Sequence, residues 1–134
     1  MTNLKKIKKI IVIDDDSIQV KLLECALREH GFEVKSTTDA PEGLQMTMDE
    51  KPDLVILDVM MPVINGYNFC KLVKTEERLK NTAIILATAR DEMEDIKIGM
   101  EVGADAYLTK PVDIKELLKA IRIVQSMRED ERVE

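Results

Sequence analysis

Unbroken apolar runs alternate along this chain with segments whose apolar residues return every three to four positions. Ile10–Ile13, Leu54–Leu57 and Ala83–Ala87 are runs of the first kind, and they end in Asp14-Asp15-Asp16, Asp58 and Thr88. Strands that are apolar at every position are buried on both faces. Between them, Ser17–Glu29 carries Leu22, Leu23, Ala26 and Leu27 at helical spacing, and Gly31 supplies a stop. Glu33–Thr37 reads as a second strand. Asp39 caps a helix that opens on Ala40-Pro41, where a proline's missing N–H does no harm, and that ends before Lys51-Pro52. Asp53–Asp58 is the third strand, followed by a loop, Val59–Asn65, and a helix from Gly66 to about Glu77. Asp91–Val102 forms a helix closed by Gly103. The fifth strand, Ala106–Thr109, delivers Lys110-Pro111, and Asp113 caps a last helix through about Met127. The mostly charged tail Arg128–Glu134 extends or frays that helix.

Strands separated by helices must pair in parallel through right-handed crossovers, which puts helices on both faces. The expected class is α/β, a doubly wound (βα)5 fold with a five-stranded parallel sheet. The 134 residues suit a single domain spanning 1–134, with a core at about 8–127 and no room for a second. In an open parallel sheet the strand ends lie along one edge, and ligands bind in the crevice outside them. Asp14, Asp15, Asp58, Thr88 and Lys110 therefore read as one site.

The net charge of −6 argues against direct nucleic-acid binding, which needs clustered cations. The one basic stretch, Lys5-Lys6 with Lys8-Lys9, is short and terminal. No segment has the length for membrane insertion, and Met1–Lys9 lacks a signal peptide's apolar centre. Cys25 and Cys70 show neither disulfide nor zinc spacing, so a reduced, cytoplasmic protein is expected. The lone His30 beside a helix stop serves the helix end. Without Ser/His or Cys/His sets, a Walker A sequence or GxGxxG, triad hydrolysis and nucleotide binding find no support.

A carboxylate can attack phosphorus to give an acyl phosphate. The reaction gathers negative charge, so it calls for Mg²⁺ (or Mn²⁺), a hard ion that takes one or two carboxylates, carbonyls and waters. Asp14 and Asp15 crowded beside Asp58 repel one another unless a cation lies among them. Lys110 offers a compact cation, and Thr88 a hydroxyl able to donate to a phosphoryl oxygen. Taken singly, each residue has a plainer reading as a capping aspartate, a surface lysine or a strand-end threonine. Asp16 or Ser17 also caps the first helix.

In these residues the chain resembles the response-regulator receiver family, over about Lys8 to Met127. Ile13-Asp14-Asp15-Asp16 looks like its acidic strand end, and Asp58-Val59-Met60-Met61-Pro62 with Gly66 like its phosphoacceptor loop. Ala87-Thr88-Ala89 resembles its switch hydroxyl. Gly103-Ala104-Asp105-Ala106-Tyr107-Leu108-Thr109-Lys110-Pro111 resembles its aromatic switch and lysine. The resemblance implies the flavodoxin-like strand order 2-1-3-4-5, for which a chemotaxis receiver is a standing example. It implies phosphotransfer from a phosphohistidine of a sensor histidine kinase or phosphotransfer protein to Asp58. It implies a metal site of Asp15, Asp58 and the Met60 backbone carbonyl, with Asp14 acting through water. Thr88 and Tyr107 would then shift inward and reshape the face made by the fourth helix, fifth strand and last helix. That face would meet a downstream protein effector or a second copy. Met60 and Arg90 would tune loss of the phosphoryl group.

Two other readings compete. Asp14-Asp15-Asp16-Ser17 fits the DxDx pattern of haloacid-dehalogenase-like phosphatases, with Asp14 as nucleophile, but their further acidic motif and cap are missing. A pseudo-receiver, an interaction module independent of phosphorylation, would not need the full acidic, hydroxyl and lysine set. A stand-alone signalling protein is favoured over the regulatory domain of a transcription factor.

Helical geometry adds a surface. In Asp91–Val102, Met93, Ile96 and Met100 are spaced to face the sheet, leaving Ile98 and Val102 on the far side. In the last helix Ile114, Leu117, Leu118, Ile121 and Val124 form one stripe, with Ala120, Ile123 and Met127 off it. Ile98, Val102, Ile123 and Met127 then suggest an exposed apolar strip.

Overall fold

The structure, a computed structural model, describes residues 6–89 and 93–133, with the side chains of 93–96 and 130–133 outside that description. Five strands, β1 (Lys9–Ile13), β2 (Glu33–Thr37), β3 (Leu54–Asp58), β4 (Ala83–Thr88) and β5 (Ala106–Thr109), form one parallel sheet in the order β2-β1-β3-β4-β5. The helices are α1 (Ser17–Glu29), α2 (Ala40–Glu50), α3 (Gly66–Thr75), α4 (Met93–Glu101) and α5 (Ile114–Val133). The expected class, strand order and element sequence all hold. β3 and β4 are buried at every position, as unbroken apolar runs require.

Two cores follow from the alternation of side chains along the strands. Ile10, Val12, Leu54, Ile56 and Ile85 pack with Leu23 and Leu27 of α1 and Leu117, Ile121 and Val124 of α5. Ile11, Ile13, Val55, Leu57, Ile84 and Leu86 pack on the other face with Phe69, Cys70 and Val73 of α3. Gly43 lets α2 approach that face closely, since a Cβ there would meet Ile13 Cδ1 at 2.6 Å.

The helix ends are made locally. Asp16 accepts from the amides of Ile18 and Gln19, Asp39 from Glu42, Asn65 from Asn68 and Asp113 from Lys115. His30 contacts the Ala26 carbonyl at 2.9 Å through Nδ1, in keeping with a helix-end role.

Several expectations are corrected. Leu22 is exposed, and Val20 joins Leu23 and Leu27 on the buried stripe of α1. α3 stops at Thr75, where a 3-10 turn, Glu77–Leu79, takes over. α5 runs on to Val133, as an extending tail would, but that tail opens on a buried Arg128, whose guanidinium donates to the carbonyls of Asn81 and Asp53. Ala120 is buried in the core, because it stands three and four residues from Leu117 and Val124.

On α4 the assigned face is turned. Met100 is exposed, while Gly99 is buried and Val102 packs partly against the core. Glycine is invisible to a search for apolar periodicity, so the inward stripe was displaced. The expected inward placement of Met93 and Ile96 and the segment 90–92 lie outside the described residues.

Candidate functional site

Three strand ends and one loop build the site. β1 and β3 are neighbours in register, Ile13 beside Leu57, so the residues that follow, Asp14 and Asp58, leave the sheet side by side. Asp14 and Asp58 are both buried, and Asp15 is exposed. One carboxylate oxygen from each of Asp14, Asp15 and Asp58 lies within 4.8 Å of the others. Lys110 reaches in from the end of β5, its Nζ 2.7 Å from Asp14 Oδ2 and 3.4 Å from Asp58 Oδ2. Its backbone is fixed by its amide, which donates to the Thr88 carbonyl at 2.7 Å, and the Lys110–Pro111 peptide is cis.

Asp58 is held from its own loop as well. Its Oδ1 accepts from the Met60 amide at 3.3 Å. The Gly66 amide donates to the Val59 carbonyl, drawing the start of α3 against the end of β3. A Cβ at Gly66 would lie 2.5 Å from the Asp58 carbonyl oxygen and 2.7 Å from Val59 Cα. Within the same loop Val63 adopts φ 73° and is exposed, an uncommon backbone for a β-branched residue that no sequence pattern announces.

Burial pushes the Asp58 carboxyl up to about 7, and the charge of Asp14 adds to the rise against the opposing pull of Lys110. Burial also works against the Lys110 ammonium. Its hydrogen bond to Asp14 and the charges of Asp14 and Asp58 outweigh that effect, and its pKa is raised. Among the described residues three carboxylates face one ammonium here, which leaves an excess of negative charge. A hard divalent cation matches that donor set of oxygens, with waters completing its shell.

Thr88 and Tyr107 complete the expected set from the sheet itself. Thr88 is fully buried at the end of β4, one residue past Ala87, the register partner of Asp58. Tyr107 is half-buried beside Leu86, its partner across β4–β5. By strand alternation Thr88 and Tyr107 share one face of the sheet, the face toward α4. The structure thus brings Asp14, Asp15, Asp58 and Lys110 into direct proximity. Met60 joins them through its amide, with Thr88 alongside. Arg90 lies outside the described residues.

A family model described as "Response regulator receiver domain" matches residues 10–122. The chain is 38% identical over 117 residues to the alkaline phosphatase synthesis transcriptional regulatory protein PhoP of Bacillus subtilis, covering 87% of this chain and 48% of that protein. It is 34% identical over 127 residues to the DNA-binding response regulator MtrA of Mycolicibacterium smegmatis, covering 95% and 54%. The chain therefore spans about half the length of these two relatives. Among solved structures, the chemotaxis response regulator CheY4 of Vibrio cholerae superposes with a TM-score of 0.82 at 31% identity, covering 88% of this chain and 98% of that one.

Proposed function

Because the chain belongs to the response regulator receiver domain family of two-component signalling, we propose that it is a phosphoacceptor. Asp58 receives a phosphoryl group from a phosphohistidine on a sensor kinase or phosphotransfer protein. The observation that carries this is the convergence of Asp14, Asp15 and Lys110 on the buried carboxylate of Asp58. An Asp58 oxygen forms the new O–P bond as the P–N bond to the imidazole breaks. The electron pair returns to nitrogen, which takes a proton from water.

Each neighbour has a distinct task. The Met60 amide holds Oδ1 of Asp58, orienting the carboxylate. Lys110 favours the anionic form and is within reach of negative charge arriving at the acceptor. Asp14, Asp15, Asp58 and the Met60 carbonyl are the groups that would hold Mg²⁺ (or Mn²⁺). The bound cation would supply positive charge to the acceptor and phosphoryl oxygens. Thr88 donates to the phosphoryl group, and Tyr107 follows it on the same face of the sheet. The change is passed to the α4–β5–α5 face, where a protein effector or second copy docks. Asp14 and Asp58 are each contacted at both oxygens, but Asp14 is held more closely, at 2.9 Å by the Asp16 amide and 2.7 Å by Lys110 against 3.3 and 3.4 Å for Asp58, which favours Asp58 as the freer nucleophile.

We take the whole of 1–134 to act as one receiver unit. The two relatives named above are DNA-binding or transcriptional regulators of about twice this span. Any nucleic-acid contact by a protein containing this chain is assigned to residues beyond it. Incubation with acetyl phosphate and Mg²⁺, followed by intact-mass measurement, tests the acceptor. One acid-stable, base-labile phosphoryl group is expected, absent from Asp58→Asn. Equal uptake by that variant would overturn the assignment.

A further inference from the structure

The end of α4 shows an omission that the fold does not require. The amide of Ala104 donates to the Gly99 carbonyl and that of Gly103 to Met100, with Gly103 at φ 94°. This is a Schellman ending, with Gly99 in the position that usually places an apolar side chain against the residue after the glycine. Gly99 has no side chain to place there. Glycine inside a helix also carries a cost in backbone entropy, so a packing reason is to be sought.

The reason is in the neighbouring strand. Gly99 is buried, and a Cβ on it would lie 3.1 Å from Tyr107 Cδ2, 3.4 Å from Tyr107 Cε2 and 3.3 Å from Leu86 Cδ1. The aromatic ring of Tyr107 thus lies against the bare backbone of α4 in the space that a side chain at 99 would enter. Tyr107 is fixed by strand register beside Leu86, two residues before Thr88. Gly99 is a point of close approach between this ring and α4.

We propose that Gly99 is a positioning residue for Tyr107, the missing side chain setting where the ring rests and how its displacement is transmitted to α4. The inference builds on the reading of Tyr107 as a switch residue. Substituting Gly99→Ala moves the ring's resting place and alters its response to the acceptor site, while phosphoryl uptake by Asp58 continues.

The chain holds two tyrosines and no tryptophan, so Tyr67→Phe leaves Tyr107 as the sole reporter. In that background, 3-fluorotyrosine incorporation gives one ¹⁹F resonance, to be followed with Mg²⁺ before and after beryllofluoride. Gly99→Ala is expected to shift the resonance before any addition and to reduce its beryllofluoride-induced shift by half or more. Coincident spectra for the two proteins in both states overturn the proposal. If the parent resonance ignores beryllofluoride, the switch reading of Tyr107 fails, while a shift caused by Gly99→Ala alone still upholds the positioning role.

Urea unfolding of the same pair, repeated with Tyr107→Ala, separates positioning from helix propensity. Without the ring, Gly99→Ala should raise the folding equilibrium constant by up to about fivefold, the ordinary gain of alanine over glycine in a helix. With the ring present, that gain should vanish or reverse. An equal gain in both backgrounds means that the ring and Gly99 do not interact, and the proposal falls.

Discussion

The ammonium of Lys110 lies closer to Asp14, at 2.7 Å, than to Asp58, at 3.4 Å. The lysine is thus anchored on the flanking carboxylate and leans toward Asp58 without being spent on it. Its side chain retains 17% exposure, against 5% for Asp14 and 3% for Asp58. Removing it takes away the ammonium that, among the described residues, stands beside these buried carboxylates.

Lys110→Ala is therefore expected to fold but to lose roughly 2 kcal/mol at pH 7.5 without Mg²⁺, somewhat less than the cost of breaking a fully buried pair. Part of that loss should return on adding Mg²⁺. Beryllofluoride-induced amide shifts should stop short of Tyr107 in this variant. Shifts that still reach Tyr107 would remove Lys110 from the signalling route.

A pH effect follows from the raised pKa of Asp58. The folded protein keeps a proton on this carboxyl up to about 7, while the unfolded chain releases it near the ordinary value of 3.8. Between those values the folded state binds more protons, so its contribution to stability is full below pH 4 and is lost as pH rises toward 7. The slope is at most about 1.4 kcal/mol per pH unit. Denaturation in EDTA at pH 5 and pH 7.5 should show a fall for the wild type that is much smaller for Asp58→Asn. Mg²⁺ should abolish the wild-type fall. The same pH response in both proteins would locate the effect elsewhere.

Much of this was legible in the chain because two signals agree. The apolar runs of β1, β3 and β4 name buried strands, and the residues that end or follow these strands and β5 name a sheet edge, so the pattern alone brings Asp14, Asp58 and Lys110 together. The Asp39 cap, the Gly31 stop and the α5 stripe of Leu117, Ile121 and Val124 were equally plain. What failed were the faces of short or weakly patterned helices. On α4 the inward contact is made by Gly99, which has no hydropathy to report, and an apolar count put Met100 there instead. Leu22 followed the period of α1 loosely enough to be placed inside, although it is 63% exposed. Buried Arg128 belonged to a charged stretch, and nothing local reveals that its partners are carbonyls at the ends of other elements.

Asp15 is the exposed member of the acidic group, so it can offer a ligand atom without being needed for packing. Asp15→Ala should leave the urea midpoint in EDTA nearly unchanged and remove the Mg²⁺-dependent gain in stability. Titration with Mg²⁺ followed by amide chemical shifts reads the affinity directly. An affinity equal to that of the wild type would exclude Asp15 from the metal site.

Gly66 offers a test of how closely the acceptor must be held. A methyl group there meets the backbone of Asp58 and Val59 at 2.5 and 2.7 Å, and neither can give way without moving the end of β3. Gly66→Ala is expected to cost about 2 kcal/mol, in the range of overpacking a filled core. It should also slow uptake from acetyl phosphate by about tenfold or more, because a small misplacement of a reacting group weighs heavily on rate. A destabilised protein with an unchanged uptake rate would make Gly66 a packing residue only.

The last expectation concerns the surface proposed to answer to the switch. Ile98 on α4 and Ile123 and Met127 on α5 are 39%, 51% and 45% exposed, while Val102 turns inward and leaves the strip. A shallow cavity of about 330 Å³ lies along the same region, lined by Tyr107, Leu108, Glu116, Lys119 and Ile123 among others. Apolar side chains with charged neighbours beside Tyr107, the residue proposed to move, are suited to a protein contact whose strength depends on phosphorylation. Sedimentation velocity of wild type and Ile98→Glu, each with and without beryllofluoride, separates the possible partners. A dimer formed only by the activated wild type is expected if a second copy docks here. Four matching monomer profiles would rule out the second copy and leave an effector of different sequence as the partner for this face.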